Sequence, residues 1–307
     1  MPAHYGCVLW ESIILMNRQP TDSPASRPSF KSVGILCHPK IEATQDVARR
    51  IGAWLEAREV EPWLVSTWDE EAIRARASQL DLVVVLGGDG SMLRAARMTA
   101  AHQTPLIGVN MGRLGFLSEM TPDTWDDLLP RVLEGDYWIE QRMLLSTKSW
   151  RGDKLLGEHL ALNDVVVSRG SLARVVHLSA DIDGEHLTTY VADGLIISTP
   201  TGSTAYALAV GGPILPPELR NILVIPIAPH LTLDRAIVLS EGATVRVHLK
   251  TDHQAILTVD GQFEFELKSG DRVEVQASDY VSRFIRLREH TYFYHTLLAR
   301  LKPEGME

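Results

Sequence analysis

An α/β chain is predicted: an N-terminal doubly wound α/β domain with a Gly-Gly-Asp-Gly loop, then a mostly-β half and a short C-terminal helix. Three features carry that expectation. Apolar runs alternate with amphipathic periods from Lys31 to about residue 140. The run Leu82-Val83-Val84-Val85-Leu86 stops abruptly at Gly87-Gly88-Asp89-Gly90. Beyond residue 140 the helical period fades, and two Asp-Gly pairs punctuate alternating segments.

In chain order, residues 17–30 (NRQPTDSPASRPSF) are polar and proline-rich, so residues 1–30 are expected to form a flexible leader, and Met16 is a candidate native start. Ser32–Cys37 reads as a buried strand. Val47, Ala48, Ile51, Trp54 and Leu55 place a helix over Ile41–Arg58. A strand over Pro62–Ser66 and a helix over Glu70–Leu80 follow. The β-branched run at Leu82–Leu86 favours a buried parallel strand, Ser91–Ala101 a helix, and Pro105–Val109 the next strand. In the second half, Leu178–Ile182 turns at Asp183-Gly184 into Glu185–Val191. Ala255–Val259 turns likewise at Asp260-Gly261 into Gln262–Leu267. Thr244–Leu249 and Asp271–Ala277 read as strands, Gly202–Val210 as one short helix, and Tyr292–Leu301 as an amphipathic helix.

The chain has 307 residues, about twice a typical domain. The expected division is an α/β domain over 31–140, a β-rich domain over 141–287, and a segment 288–307 that packs back on the first. A net charge of -9 argues against a nucleic-acid partner held by a general basic surface. It also requires that any phosphate-rich ligand meet a local exception, such as backbone N–H groups, an arginine or a metal ion. Cys7 and Cys37 have no paired spacing, which excludes a disulfide scaffold and a cysteine zinc site and points to a reducing, cytoplasmic setting. No run approaches about 18 apolar residues, so no membrane partner is expected. The segment Cys7–Met16 contains Glu11 and lacks a basic leader, unlike a signal peptide.

A strand that ends in glycines and opens a helix is where an open α/β sheet binds ligands. The loop at Gly87–Ser91 matches neither G-x-x-x-x-G-K-[ST] nor G-x-G-x-x-G. Its central Asp89 suits a proton acceptor for a hydroxyl, or a group that binds one together with a metal; the plainer alternative is a helix cap. The second candidate is Ala192–Tyr206, an apolar strand leading into a Ser/Thr-rich loop and a helix start. Outward amides there could hold a negative group, and Tyr206 could face a planar base. The alternative is an ordinary Ser/Thr cap.

Gly87-Gly88-Asp89-Gly90, Gly108-Val109-Asn110-Met111-Gly112-Arg113-Leu114-Gly115-Phe116-Leu117, Leu162-Asn163-Asp164-Val165 and Asp193–Tyr206 stand in the order seen in NAD kinases. Gly211-Gly212-Pro213 and Pro229-His230 extend the resemblance, which spans about Val33 to Leu298. The combination is specific. Gly-Gly-Asp-Gly alone is not, because diacylglycerol kinases, sphingosine kinases and phosphofructokinases share it.

The resemblance implies a kinase that transfers a phosphoryl group from ATP or polyphosphate to the 2′-hydroxyl of the adenosine ribose of NAD, with Mg²⁺ accompanying the donor. It implies Asp89 as proton acceptor and Gly90 against the dinucleotide. Asn163 and Asp164 would hold ribose and phosphate, Arg174 would supply a basic contact, and Asp193 would bond the nicotinamide amide. Thr204, Ala205, Tyr206, Ala207, Leu208 and Ala209 would line the adenine pocket. Gln262 would contact the ligand from this or a neighbouring subunit of a homodimer or homotetramer. No protein ligand set for a metal is implied.

Four positions depart from the family pattern. Ser91 replaces Thr and keeps the hydroxyl. Asp164 replaces Glu and shortens the reach. Val191 stands where a basic residue often precedes Asp-Gly, and Ala236 stands where proline is common. His230 reads as structural, His253 as solvent-facing, and Arg113 as a pin for the loop around Gly112 and Gly115. Two other functions share features of this chain: a lipid kinase of the diacylglycerol or sphingosine type, and a non-catalytic NAD(H) sensor.

Overall fold

The computed structural model describes residues 30–112, 114–170, 174–230 and 233–301. Residues 1–29 of the expected leader, Met16 among them, and Arg113 lie outside them, whereas Phe30, the leader's last residue, packs against Tyr137. The first strands and helices are β1 (Ser32–Cys37), α1 (Glu42–Glu56), β2 (Glu61–Ser66), α2 (Glu70–Arg76), β3 (Leu82–Gly87), α3 (Asp89–Thr99), β4 (Leu106–Asn110) and α4 (Trp125–Glu134). The strands pair in parallel in the order β2-β1-β3-β4. Every residue of β3 is buried. Its Leu82, Val84 and Leu86 pack toward α1 and α4, and Val83 and Val85 toward α2 and α3. Burial on both faces explains a continuous apolar run. The helices are therefore on both sides, as the alternation predicts.

Helix α4 is not among the sequence expectations, and it carries Pro130 in its interior. Trp125, Leu129 and Val132 nevertheless keep helical spacing and are buried together, and Gly135, at φ 83°, ends the helix in the left-handed conformation. The packing of that face outweighs the hydrogen bond that proline removes.

Next come β5 (Trp138–Arg151), β6 (Lys154–Ala161), β7 (Asp164–Arg169), β8 (Val176–Ile182), β9 (Glu185–Ala192), β10 (Gly194–Ser198), α5 (Tyr206–Ala209), β11 (Asn221–Ile227), β12 (Ile237–Ser240), β13 (Thr244–Lys250), β14 (Ala255–Val259), β15 (Phe263–Leu267), β16 (Asp271–Arg286) and α6 (Tyr292–Leu301). Among the described residues these join two sheets. One continues the parallel strands through β16, β13, β8 and β9, with β5 beside β16 and β6 beside β5; the other runs β12-β11-β10-β7-β14-β15. The paired strands β5 and β16 carry the first sheet from one half into the other, from Trp138 opposite Arg286 to Arg151 opposite Asp271, with a register shift between Ala277 and Val281. The two sheets enclose a core that includes Val165, Val167, Leu195, Ile197, Val245 and Val275.

Both anticipated hairpins form, with φ of 53° and 89° at Asp183-Gly184 and 52° and 61° at Asp260-Gly261, as a type I′ turn requires. The expected single helix over Gly202–Val210 does not form. A 3₁₀ turn over Gly202–Thr204 is followed by a break at Ala205 (φ -104°, ψ -125°) and then the single turn of α5.

Tyr190 is fully buried in the second core, and its hydroxyl has no hydrogen-bond partner among the described residues. An unpaired hydroxyl in such a place costs about 1–3 kcal/mol. Tyr190→Phe is therefore expected to melt at the parent's temperature or higher, which thermal denaturation checks directly.

Candidate active site

The chain order across the parallel strands reverses between β1 and β3, so a crevice opens at their carboxyl ends. A cleft of about 290 Å³ lies there, lined by His38, Trp68, Gly88, Ser91, Arg94 and Gln262 among others. Gly88 precedes α3 without a side-chain cap, and a Cβ built on it would meet open space. The helix begins at Asp89, two residues before the sequence-based boundary. Asp89 is thus the first helical residue, with Gly88 in the capping position, so the plain reading of Asp89 as the cap does not hold.

The loop after β4 forms the wall beside Asp89. Met111 N–H donates to the Gly87 carbonyl (3.1 Å), and Gly112 N–H donates to Asn110 Oδ1 (2.9 Å). The carboxylate of Asp89 occupies the space that a side chain on Gly115 would need: a Cβ there would lie 2.7 Å from Oδ2 and 2.9 Å from Cγ. Gly115 is therefore a seat for the carboxylate. The described pin of this loop is Asn110; the expected pin, Arg113, is outside the described residues.

Asp260 ties the second half to that wall. Its carboxylate accepts N–H bonds from Leu162 (3.1 Å), Asn163 (2.8 Å) and Asp164 (3.2 Å) and pairs with Arg97 of α3. Arg97 Nη2 also donates to Gln262 Oε1 (2.6 Å), and Gln262 Nε2 donates to the Gly90 carbonyl (2.7 Å). One buried ion pair thus holds the Gly-Gly-Asp-Gly helix, the Asn163-Asp164 segment and the β14–β15 turn at fixed distances. Sequence reasoning took Asp260 as a turn residue and passed over Arg97. The available signal was an arginine on the apolar side of a helix, since a buried arginine needs a partner. Gln262 makes its contact with Gly90 within the same chain.

Asp164 is 5% exposed. Burial, and secondarily the charge of Asp260, push its carboxyl up to about 7. Such a group binds its proton more tightly in the folded chain. Its contribution to stability is complete below the unfolded value of 3.8 and is lost as pH rises through about 7. Asp164→Asn, which cannot ionise, is therefore expected to gain about 2 kcal/mol on the parent between pH 5 and pH 8. Melting curves at both pH values measure this, and a pH-independent difference would contradict it.

The remaining candidates sit apart from that latch. Asp193 is half-buried and pairs with Arg169 (2.8 Å). Arg174 lies 3.4 Å from His253 in a cleft that His177, Lys250 and Asp252 also line. His253 is thus only partly solvent-facing. The Ser/Thr loop is bound to Asn163, whose carbonyl accepts from Ser198 Oγ (3.0 Å) and Thr199 N–H (2.9 Å). Two of its amides are turned inward: Gly202 N–H donates to Thr199 Oγ1 (3.1 Å) and Ser203 N–H to the Thr199 carbonyl (3.1 Å). The loop folds on its own hydroxyls, with the Gly202 and Ser203 amides turned inward. Beyond it, Thr204, Ala205 and Leu208 are partly exposed, Tyr206 and Ala209 exposed, and Ala207 buried.

The family model for the ATP-NAD kinase N-terminal domain matches residues 40–137, and that for the ATP-NAD kinase C-terminal domain matches residues 162–287. The NAD kinase of Chloroflexus aurantiacus is 40% identical over 273 residues, covering 89% of this chain and 99% of its own. The chain belongs to the NAD kinase family. It is a phosphotransferase, and among the functions that share the Gly-Gly-Asp-Gly loop the lipid kinase reading falls away. The NAD kinase of Heliobacterium modesticaldum is 42% identical over 270 residues, covering 85% of this chain and 95% of its own. Two solved NAD kinase folds superpose closely, each 25% identical. Yeast NADH kinase complexed with NADH gives a TM-score of 0.81 over 92% of this chain and 90% of that one. An Archaeoglobus fulgidus NAD kinase in complex with ATP gives 0.73 over 88% and 100%. No helix among the described residues is long and apolar enough to cross a membrane.

Proposed function

We propose that this NAD kinase transfers the terminal phosphoryl group of ATP to the 2′-hydroxyl of the adenosine ribose of NAD, with Asp89 as the proton acceptor. The observation that carries this reading is the Asp89 carboxylate seated on Gly115, between Gly88 and Gly90, which line the β1/β3 crevice, with Gly90 held by the latched Gln262. The ribose oxygen forms its bond to the γ-phosphorus as the bond from phosphorus to the bridging oxygen breaks, and ADP leaves. A ribose hydroxyl is too weak an acid to ionise beforehand, so its proton passes to Asp89 late, in a loose transition state.

In this reading the donor phosphates lie in the crevice, where the N-terminal end of α3 and its glycines allow close approach. Among the described residues no three His, Cys, Asp or Glu side chains converge to cage a metal. The divalent cation, Mg²⁺, belongs to the donor substrate and travels on its phosphates. Asn163 and Asp164 take the acceptor's ribose, and Thr204–Ala209 its adenine. Asp193 takes the nicotinamide amide once Arg169 yields, and Arg174 meets a phosphate. The enzyme works in the cytoplasm as a homodimer or homotetramer, with an α/β domain over 31–140 and a β-rich domain over 141–287. Exposed Leu155, Leu156 and Leu187 on the β-rich hairpins supply apolar surface for subunit contact.

The test is donor and acceptor profiling of the purified chain with Mg²⁺, NADP being read by a coupled dehydrogenase. NADP formation with NAD and ATP is expected. NAD binding without product would make the protein a sensor, and product from polyphosphate but not ATP would reassign the donor.

A further inference from the structure

Outside the proposed substrate contacts, the described residues hold a second charged cluster, buried behind the loop that seats Asp89. Arg142 and Arg286 are 1% and 0% exposed, and Glu140 and Glu119 are 1% and 5% exposed. Arg286 donates to Glu140 Oε2 through Nε (2.8 Å) and Nη2 (2.6 Å), and to Glu119 Oε1 through Nη1 (2.9 Å). Arg142 Nε donates to Glu140 Oε2 (2.8 Å) and its Nη2 to Tyr292 Oη (2.7 Å). The Tyr292 hydroxyl in turn donates to Glu140 Oε1 (2.8 Å). Burial alone would raise the Glu140 carboxyl, but Arg142 and Arg286 override it and hold it at about 2. Burial keeps the Tyr292 phenol above its ordinary value, so it remains a donor.

The arginines of this cluster also point their remaining donors at the loop backbone. The Phe116 carbonyl accepts from Arg286 Nη2 (3.1 Å) and Arg142 Nη2 (3.3 Å), and the Leu117 carbonyl from Arg286 Nη1 (3.3 Å). Arg288 Nη2 donates to the Ser118 carbonyl (3.0 Å). Three consecutive carbonyls are thus fixed, and the first belongs to the residue after Gly115. Arg142 Nη1 approaches Thr201 Oγ1 (3.4 Å) in the Ser/Thr loop. Tyr292 enters from α6, whose Phe293 packs against Phe116.

We propose that Tyr292 is a positioning residue: by completing the Glu140–Arg142–Arg286–Glu119 cluster, its hydroxyl fixes the Phe116–Glu119 backbone and so holds Gly115 where it seats the Asp89 carboxylate. This rests on the reading of Asp89 as proton acceptor. Glu140 keeps both arginines when the hydroxyl is removed, so the cluster survives, but Arg142 loses one of its two Nη2 acceptors and can turn away from the loop. Small displacements of a reacting group cost rate far more than they cost binding.

The experiment compares Tyr292→Phe, Asp89→Asn and, as a control that also deletes a buried tyrosine hydroxyl, Tyr190→Phe in the full chain. For Tyr292→Phe, kcat is expected to fall on the order of tenfold with KM for NAD within about twofold of the parent. The acid limb of the kcat–pH profile is expected to shift, and Tyr190→Phe to change neither. Arg142→Lys, which retains the charge beside Glu140 but loses the fork to Tyr292 and Phe116, should repeat the kcat-only loss, and it decides the matter should Tyr292→Phe not fold. An unchanged kcat with a lowered melting temperature, or a raised KM with kcat kept, overturns the proposal. If Asp89→Asn is inactive while Tyr292→Phe is fully active, only this inference fails. If Asp89→Asn turns over like the parent, the proton-acceptor reading fails and this inference with it.

Discussion

Asp89→Asn is expected to lower kcat by about 10²–10⁴-fold, the usual contribution of a positioned general base, with affinity for NAD changed by no more than a few-fold. Asparagine has almost the same shape, so it fits the seat on Gly115 and leaves the helix start intact. It cannot take up the ribose proton. The interaction lost is made only as the new oxygen–phosphorus bond forms, and such a loss appears in kcat rather than in ground-state binding. Coupled turnover assays and calorimetric titration with NAD separate the two quantities. Near-parental turnover would refute the assignment. Gly115→Ala is the geometric counterpart: the new methyl lies 2.7 Å from Asp89 Oδ2 and must displace it, so turnover is expected to fall although no titratable group has changed.

How much of this was legible in the sequence follows from what each residue does locally. Leu82–Leu86 and the glycines after it fix their own conformation, so the strand, the loop and the helix after it could be read nearly to the residue. The Asp-Gly turns were legible for the same reason. The latch and the buried cluster were not, because their partners are distant in the chain: Arg97 meets Asp260, and Arg286 meets Glu140 and Glu119. Within strands β5 and β16 the buried charges Glu140, Arg142 and Arg286 alternate with other residues like ordinary solvent-facing positions, and only pairing reveals that they face inward. The Ser/Thr loop differs for a further reason: Thr199 and Ser203 bond the loop's own backbone, as short hydroxyl side chains readily do, and Thr199 Oγ1 takes up the Gly202 amide.

That difference between local and distant partners predicts opposite outcomes for the same change at two similar turns. Asp183→Asn and Asp260→Asn both place asparagine in a left-handed position that it tolerates before glycine, so both hairpins should persist. Asp183 is exposed and accepts one N–H, from Thr244 (2.8 Å), so its substitution is expected to cost less than about 1 kcal/mol. Asp260→Asn removes the charge opposite buried Arg97 and one of the two oxygens serving Leu162, Asn163 and Asp164. Breaking a buried pair by removing one partner costs about 3–5 kcal/mol, a large share of a typical total of 5–15 kcal/mol. Turnover is expected to be lost as well, with KM raised and kcat lowered, because Gly90 and Asn163 are no longer held at a common distance. Kinetics at a temperature where denaturation shows the variant still folded distinguish this from simple unfolding. Full activity there would mean that the Arg97–Asp260 pair stabilises the fold without shaping the site, and equal stability losses at the two turns would mean that the pair contributes nothing beyond its turn.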